Sequence, residues 1–286
     1  MLRRPRAEPV RPPALGALVV LAALTGLAGC GEPPAPEPDV LVAAEAPERP
    51  VAAKAAGALD CVHPVATSGA GDYVDSGLET VQDDPAAAVE VLVRESGVGG
   101  VPAAGYEVTA TDGDRVLLTQ QHDGRTVVAF VVEDGVSDWA GDQGWGVTSY
   151  AACDLAELPP AVARAQGTEV WTDAEGTPVP TSRVQSSAGP EHCDWQDVTF
   201  LQVGDGRDGG QYLRDVDGEL ADSERTSYAA QVPLPADATD TGWRLDGREL
   251  WLVPDGSAAY VVEAGRSTGP PVGERWPGTK EPVACG

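Results

Sequence analysis

Cysteine is the residue in this chain best placed to do chemistry. Cys61 and Cys153 are 92 residues apart, and Cys193 and Cys285 are also 92 apart. Outside a reducing cytosol such thiols oxidise to disulfides, and these four allow three pairings. Two histidines sit beside them, His63 two residues after Cys61 and His192 just before Cys193. A zinc site needs four ligands at compact spacing. No such spacing is present, so sulfur cross-links outweigh metal. The third histidine, His122, falls in a turn signal.

The other candidate groups are carboxylates. Asp205 and Asp208 share one loop, and Asp215, Asp217, Glu219 and Asp222 cluster near another. Calcium takes six to eight hard oxygens and tolerates irregular loops. These acids are therefore calcium candidates, although EF-hand spacing is absent and a solvated acidic surface is the plainer reading. Gly204 to Gly209 matches G-x-G-x-x-G, but the next residues, Gln211 to Arg214, read as a strand and not a helix. Two acids in that loop would also repel a pyrophosphate. No H-E-x-x-H, P-loop or Ser-x-x-Lys pattern occurs. With 45 Asp and Glu, no single carboxylate pair stands out as an acid–base couple. No cofactor is implied. Trp139 and Trp145 lie among acids and glycines, where they could stack on wall sugars or cap a core poor in Phe and Met.

The fifth cysteine belongs to the N-terminus. Arg3, Arg4, Arg6 and Arg11 precede an uncharged apolar stretch, Ala14 to Leu24. A stretch of about eleven residues is too short to span roughly 30 Å of hydrocarbon. It reads as a signal-peptide core. Leu27-Ala28-Gly29-Cys30 follows and resembles the lipobox of bacterial lipoproteins. That resemblance implies cleavage before Cys30 and diacylglycerol on its sulfur. Residues 31–58 are rich in Pro, Ala and Glu and are expected to be a disordered tether reaching roughly 80 Å.

The formal charge is −26; residues 1–29 carry +3, so the chain from Cys30 carries −29. Nucleic-acid affinity comes largely from Lys and Arg neutralising phosphates, so this balance excludes it. It also keeps the folded part off an anionic bilayer. Ile and Asn are absent. The lack of Asn excludes N-glycosylation.

The equal cysteine spacing points to an internal duplication. Gly71-Asp72-Tyr73-Val74 parallels Gly210-Gln211-Tyr212-Leu213, and Gly105-Tyr106-Glu107-Val108 parallels Gly242-Trp243-Arg244-Leu245. Ala129 to Gly135 parallels Ala259 to Gly265, and Trp145 before Cys153 parallels Trp276 before Cys285. The repeat favours the pairings Cys61–Cys153 and Cys193–Cys285.

The elements that would position these residues form one plan. Asp84-Pro85 starts a helix with an apolar stripe at Val89, Leu92 and Val93, and Gly97 can end it. Strands are expected at 106–110, 115–121, 125–133 and 147–153, with Asp123-Gly124 as a hairpin turn. The second repeat gives strands at 197–203, 211–216, 249–253 and 258–263, and its helix would lie near 220–228. The expected fold is α+β, with two tandem small antiparallel-sheet units, each closed by a disulfide. The first spans residues 59–153, a connector 154–192, and the second 193–286.

Gly189-Pro190-Glu191-His192-Cys193-Asp194-Trp195 is distinctive, as are Arg248-Glu249-Leu250-Trp251-Leu252, Asp255 to Tyr260, Arg275-Trp276-Pro277 and Cys285. Together they resemble a family of uncharacterised exported lipoproteins of high-GC bacteria, from about Asp60 to the end. The resemblance implies export and carries no catalytic residue. The expectation is a protein on the outer face of the cytoplasmic membrane, bound to the bilayer through acylated Cys30. It would bind or scaffold an envelope protein or wall polymer without catalysis. The competing expectations are a carboxylate-dependent hydrolase of wall polymers and a solute-binding receptor.

Overall fold

Strand β5 (Arg125–Ser137) organises the first half of the molecule. Thr126 through Val132 are buried without a break, so this strand must be covered on both faces. β4 (Arg115–His122) pairs with it antiparallel through the Asp123-Gly124 turn, both residues of which have positive φ. That geometry makes it a two-residue hairpin of the primed type. β3 (Glu107–Asp112) pairs β4, and β6 (Gln143–Ala152) pairs β5. β2 (Thr67–Ala70) and the short β1 (Val42–Ala43) complete a six-stranded sheet, pairing β6 and β4 respectively.

The computed structural model describes residues 42–43, 51–52, 54–70, 81–96, 101–102, 104–138, 140–204, 209–220, 228–265, 270–279 and 283. The signal segment, Cys30, Trp139, Asp205, Asp208, Asp222 and Cys285 lie outside them. Asp39–Gly286 forms one unit.

Helix α1 (Pro85–Ser96) covers one face of this sheet. Asp84 caps it as expected, its carboxylate accepting from the N–H groups of Ala86 and Ala87 at 3.0 and 2.9 Å. Ala88, Val89, Leu92 and Val93 pack on Leu118, Phe130, Val132 and Val147. The other face is covered by the end of the expected tether. Residues Ala55–Ala58 form a 3-10 turn, and Val51, Ala55 and Ala58 are buried against Leu117, Ala129, Val131 and Ala151. The chain is thus already docked by residue 51, and β1 pairs with the sheet earlier still. Small apolar residues spaced by Pro and Ala read as a spacer, yet here they seal a sheet face.

Residues 154–192 are not a connector. They carry α2 (Pro160–Ala165), β7 (Thr168–Val170) and β8 (Val184–Ala188). With β9 (Thr199–Val203) and β10 (Gly210–Arg214) the two strands make a four-stranded sheet in the order β10-β9-β8-β7. Trp171, from the same stretch, is fully buried and donates its Nε1–H to Ser186 Oγ at 2.9 Å.

The remaining strands are β11 (Ala229–Pro233), β12 (Thr239–Leu245), β13 (Arg248–Leu252), β14 (Ala258–Glu263) and β15 (Val272–Pro277), ordered β11-β15-β14-β13-β12. The four- and five-stranded sheets share one core, in which Trp171, Val184, Leu201 and Tyr212 meet Leu250, Ala259, Val261 and Trp276. Main-chain bonds bridge them at both edges. Thr172 and Arg244 exchange bonds of 2.8 Å, and Thr279 N–H donates to Gln211 C=O at 2.9 Å beside the Tyr212–Gly278 bridge. The second half is therefore one two-sheet body and not a copy of the first in size.

The meanders β3-β4-β5-β6 and β12-β13-β14-β15 nevertheless run in the same order. In each, the outer edge of the last strand takes two earlier segments. β6 takes β2 and the Gln82–Trp145 bridge; β15 takes β11 and, just past its end, the Tyr212–Gly278 bridge. α1 lies between Gln82 and β3, whereas β11 reaches β12 through residues 234–238. The helix expected near 220–228 would precede β11, and residues 221–227 lie outside the described ones.

Candidate functional site

The densest polar arrangement is the segment Cys153-Asp154-Leu155-Ala156-Glu157, where the two halves meet. Cys153, at the end of β6, is bonded to Cys61. Asp154 is buried and caps the next 3-10 turn through Ala156 N–H at 2.9 Å. It also accepts from Thr181 N–H at 2.9 Å and from Thr181 Oγ1–H at 2.9 Å, in the loop before β8. Glu157, with its side chain 4% exposed, accepts from Val62 N–H at 2.8 Å and His63 N–H at 2.9 Å, and pairs with Arg125. Burial pushes this carboxyl up. The Val62 N–H, the Arg125 guanidinium and the His63 N–H together outweigh burial and hold it below the usual carboxylate range.

The Asp154 and Glu157 carboxylates are both taken up by these donors, so the segment works as a fastening. Among the described residues, the single group of three metal-type donors within 4.8 Å is Cys61, Cys153 and Glu157. The disulfide consumes two of them. Asp154→Asn is expected to cost about 1–2 kcal/mol, because one acceptor oxygen becomes a donor facing buried N–H groups. Chemical unfolding of the variant checks this.

The calcium candidates divide. Asp215 is buried and accepts from the N–H groups of Glu219 (2.9 Å) and Leu220 (3.3 Å), which makes it the cap of a turn. Asp217 and Glu219 are exposed. Burial, then the charges of Asp197, Asp217, Asp215 and Asp194, raises the Glu219 carboxyl. The oxygens of Asp215, Asp217 and Glu219 do not close as a trio within 4.8 Å. His192 and Cys193 lie in the 3-10 turn Glu191–Cys193, followed by Asp194 at φ 58°. Cys193 is disulfide-bonded; Cys285 lies outside the described residues. Trp145 packs, half-buried, on the first core beside Val147.

The sequence reading passed over a cavity of about 440 Å³ on the five-stranded sheet. Its lining includes Arg248, Glu249, Trp251, Glu263, Val272 and Glu274. Trp251 donates its Nε1–H to Glu249 Oε2 at 3.3 Å. Glu274 is occupied, accepting from Arg214 Nε–H at 3.0 Å and Trp276 Nε1–H at 2.9 Å. The signal available in the sequence was the alternation Arg248, Leu250, Leu252 against Glu249, Trp251. It puts the acid and the indole on the opposite sheet face from Leu250, a residue of the shared core. A second cavity, about 270 Å³, lies between α2 and the β12–β13 turn, lined by Leu155, Leu158, Ala163, Val170, Pro178 and Leu245.

No helix among the described residues is long and apolar enough to cross a membrane. No protein-family model, curated protein or solved structure matches the chain.

Proposed function

We propose that the chain is an extracytoplasmic lipoprotein, anchored through acylated Cys30, whose sheet body binds or scaffolds an envelope component without catalysis. The carrying observation is Leu27-Ala28-Gly29-Cys30 directly behind a short apolar core and four arginines. The Cys61–Cys153 disulfide supports it, since such bonds persist in oxidising compartments. So do the residues that resemble exported lipoproteins, from Gly189 to Trp195 and from Arg248 to Leu252. Two acyl chains hold a protein stably on a bilayer, and one does so marginally. From Cys30 to the docked Val42 the chain can reach at most roughly 40 Å. The body would then sit nearer the bilayer than a free tether to residue 58 allows.

In this reading the two meanders descend from a duplication. Their common strand order and the matching cover on β6 and β15 support it, and Cys193–Cys285 is the second bond it calls for. The hydrolase alternative asks for converging carboxylates with a raised pKa in a cleft. Among the described residues the carboxyl that is raised is Glu219, which stands on the exposed acidic surface. A receptor of the usual βαβ kind needs parallel sheets, and the sheet pairings of the described residues are antiparallel.

Cys30→Ser is expected to move the protein from the membrane fraction to the soluble extracytoplasmic fraction and to remove a diacylglycerol mass from its N-terminus. Fractionation with intact-mass measurement reads both. Unchanged membrane retention with an unmodified residue 30 defeats the proposal.

A further inference from the structure

We infer that the cavity beside α2 is a peptide site that takes the extended C-terminal end of a partner protein whose last side chain is apolar. The partner's main chain adds to a free edge of β7, and its terminal carboxylate meets Arg164. This deepens the binding reading above, on which it rests, by naming the partner's chemistry. Three observations carry it.

The first is an open strand edge. The β7–β8 register sets Gly167 opposite Ala188, and the Ala188 N–H donates to the Gly167 C=O at 3.1 Å. Main-chain groups along an antiparallel strand point to alternate sides. Gly167 and Glu169 therefore turn theirs toward β8, and Thr168, Val170 and Thr172 turn theirs away from it. On that far side Thr172 exchanges two bonds of 2.8 Å with Arg244 of β12. β12 then stops. Asp246 and Gly247, both at positive φ, turn the chain into β13 where Asp246 would otherwise stand opposite Val170. Among the described residues no hydrogen bond takes up Val170 on this side. Its N–H and C=O are left for an added strand, as in domains that bind peptides by extending a sheet.

The second is the shape beside that edge. Side chains of β7 alternate, so Thr168, Val170 and Thr172 share one face and Glu169 goes with Trp171, a residue of the shared core, on the other. Thr168, Val170 and Thr172 line the cavity together with Ala163 of α2, Leu155 and Pro178. Its volume of about 270 Å³ falls just short of the roughly 300–1,000 Å³ of sites for whole small molecules. It suits one apolar side chain held beside a strand edge.

The third is charge. Arg115, Arg125, Arg214 and Arg244 are each paired with a carboxylate. Arg164 lines the cavity, is exposed, and has no such pair among the described residues, in a chain of −26. The Gly167 N–H donates to the Arg164 C=O at 3.0 Å, which keeps the end of α2 beside Thr168. Asp246, the acid of the same rim, belongs to the Val170 end. The cavity is thus basic at one end of the open edge and acidic at the other. That polarity places a peptide's terminal carboxylate at Arg164, where a guanidinium can hold it through two parallel bonds.

The test is calorimetric titration of the full chain carrying Cys30→Ser, free of lipid and detergent, with acetyl-Ala-Ala-Val and acetyl-Ala-Ala-Leu. Saturable binding at one site is expected for at least one of them. Amidation of the peptide's C-terminus, and Arg164→Gln, should each weaken it about tenfold or more, the loss of a charge-assisted pair. Alternate amides of an added strand face β7, so N-methylation at one of the last two peptide amides should weaken it comparably. Ala163→Phe, which fills the cavity, should abolish binding, and Arg183→Gln, outside the cavity, should leave it unchanged. The peptide modifications leave the protein untouched, so they decide the matter even where a variant fails to fold. Absence of saturable binding to both peptides, or binding unchanged by amidation or by both N-methylations, overturns the site. The titration does not involve the lipid, so its failure leaves the anchor to be judged by fractionation alone.

Discussion

Replacing Cys61 and Cys153 together by serine is expected to lower the unfolding free energy by about 4–5 kcal/mol. The bond closes a loop of 92 residues. In the chain-entropy model, a loop of that length strongly restricts the unfolded chain, and its loss returns that freedom. Cys153 is also 1% exposed within the first core, so a serine hydroxyl there enters an apolar site. The bond ties Cys61, just past the 3-10 turn, to the residue that follows β6. Urea unfolding followed by tryptophan fluorescence gives the difference, with the midpoint falling at little change in slope. Substitution is a cleaner test than a reductant, because Cys193 is also oxidised and would open as well. A loss under about 1 kcal/mol would show that the bond adds little to a sheet that holds itself.

Local signals in the sequence were legible where one residue type has one physical use. Asp84-Pro85 can only cap and start a helix efficiently, and α1 begins there. Asp123-Gly124 supplies the two positive φ angles of a tight hairpin, and β4 and β5 meet at it. The same pair recurs at Asp246-Gly247, with φ 49° and 76°, and closes β12 onto β13. The strand before that turn is harder to read, because β12 shifts register between Asp240 and Arg244 and loses its alternation. β7 and β8 were hidden for a different reason. They are short and carry Thr, Glu, Gln and Ser, and β8 alternates buried Val184 and Ser186 with less buried neighbours. Their place is fixed by partners far along the chain. The burial of Trp171 is the clearest trace of that core, and one tryptophan shows no period. The candidate acids misled in the same way. A carboxylate that caps its own turn, as Asp215 does, has the same sequence signature as one waiting for a cation. The cavity on the five-stranded sheet escaped notice because it is assembled from four strands, and no local window holds all of its walls.

Glu157→Ala is expected to cost about 3 kcal/mol, toward the lower end for a broken buried ion pair because Arg125 keeps 32% of its side chain in solvent. The loss has two parts: the Arg125 charge goes unanswered, and the Val62 and His63 N–H groups lose their acceptor. The pH dependence separates charge from packing. Unfolded, the carboxyl titrates near 4.3. Folded, it is held lower despite its burial, by Val62 N–H, Arg125 and His63 N–H. The unfolded chain therefore takes up this proton first as pH falls. The stabilisation is fully present above the unfolded value and is lost as pH drops through it toward the folded one. Glu157→Gln keeps the shape and removes the titration, so its stability should fall less steeply than that of the wild type below about pH 4.3. Asp240 and Asp255 are also held low, by Arg244 and by Ser257 respectively, and they titrate in both proteins. The difference between the two acid limbs thus isolates Glu157. Acid limbs that run parallel would mean that the Arg125 pair is screened by water. The clamp on residues 62–63 would then rest on its two main-chain bonds alone.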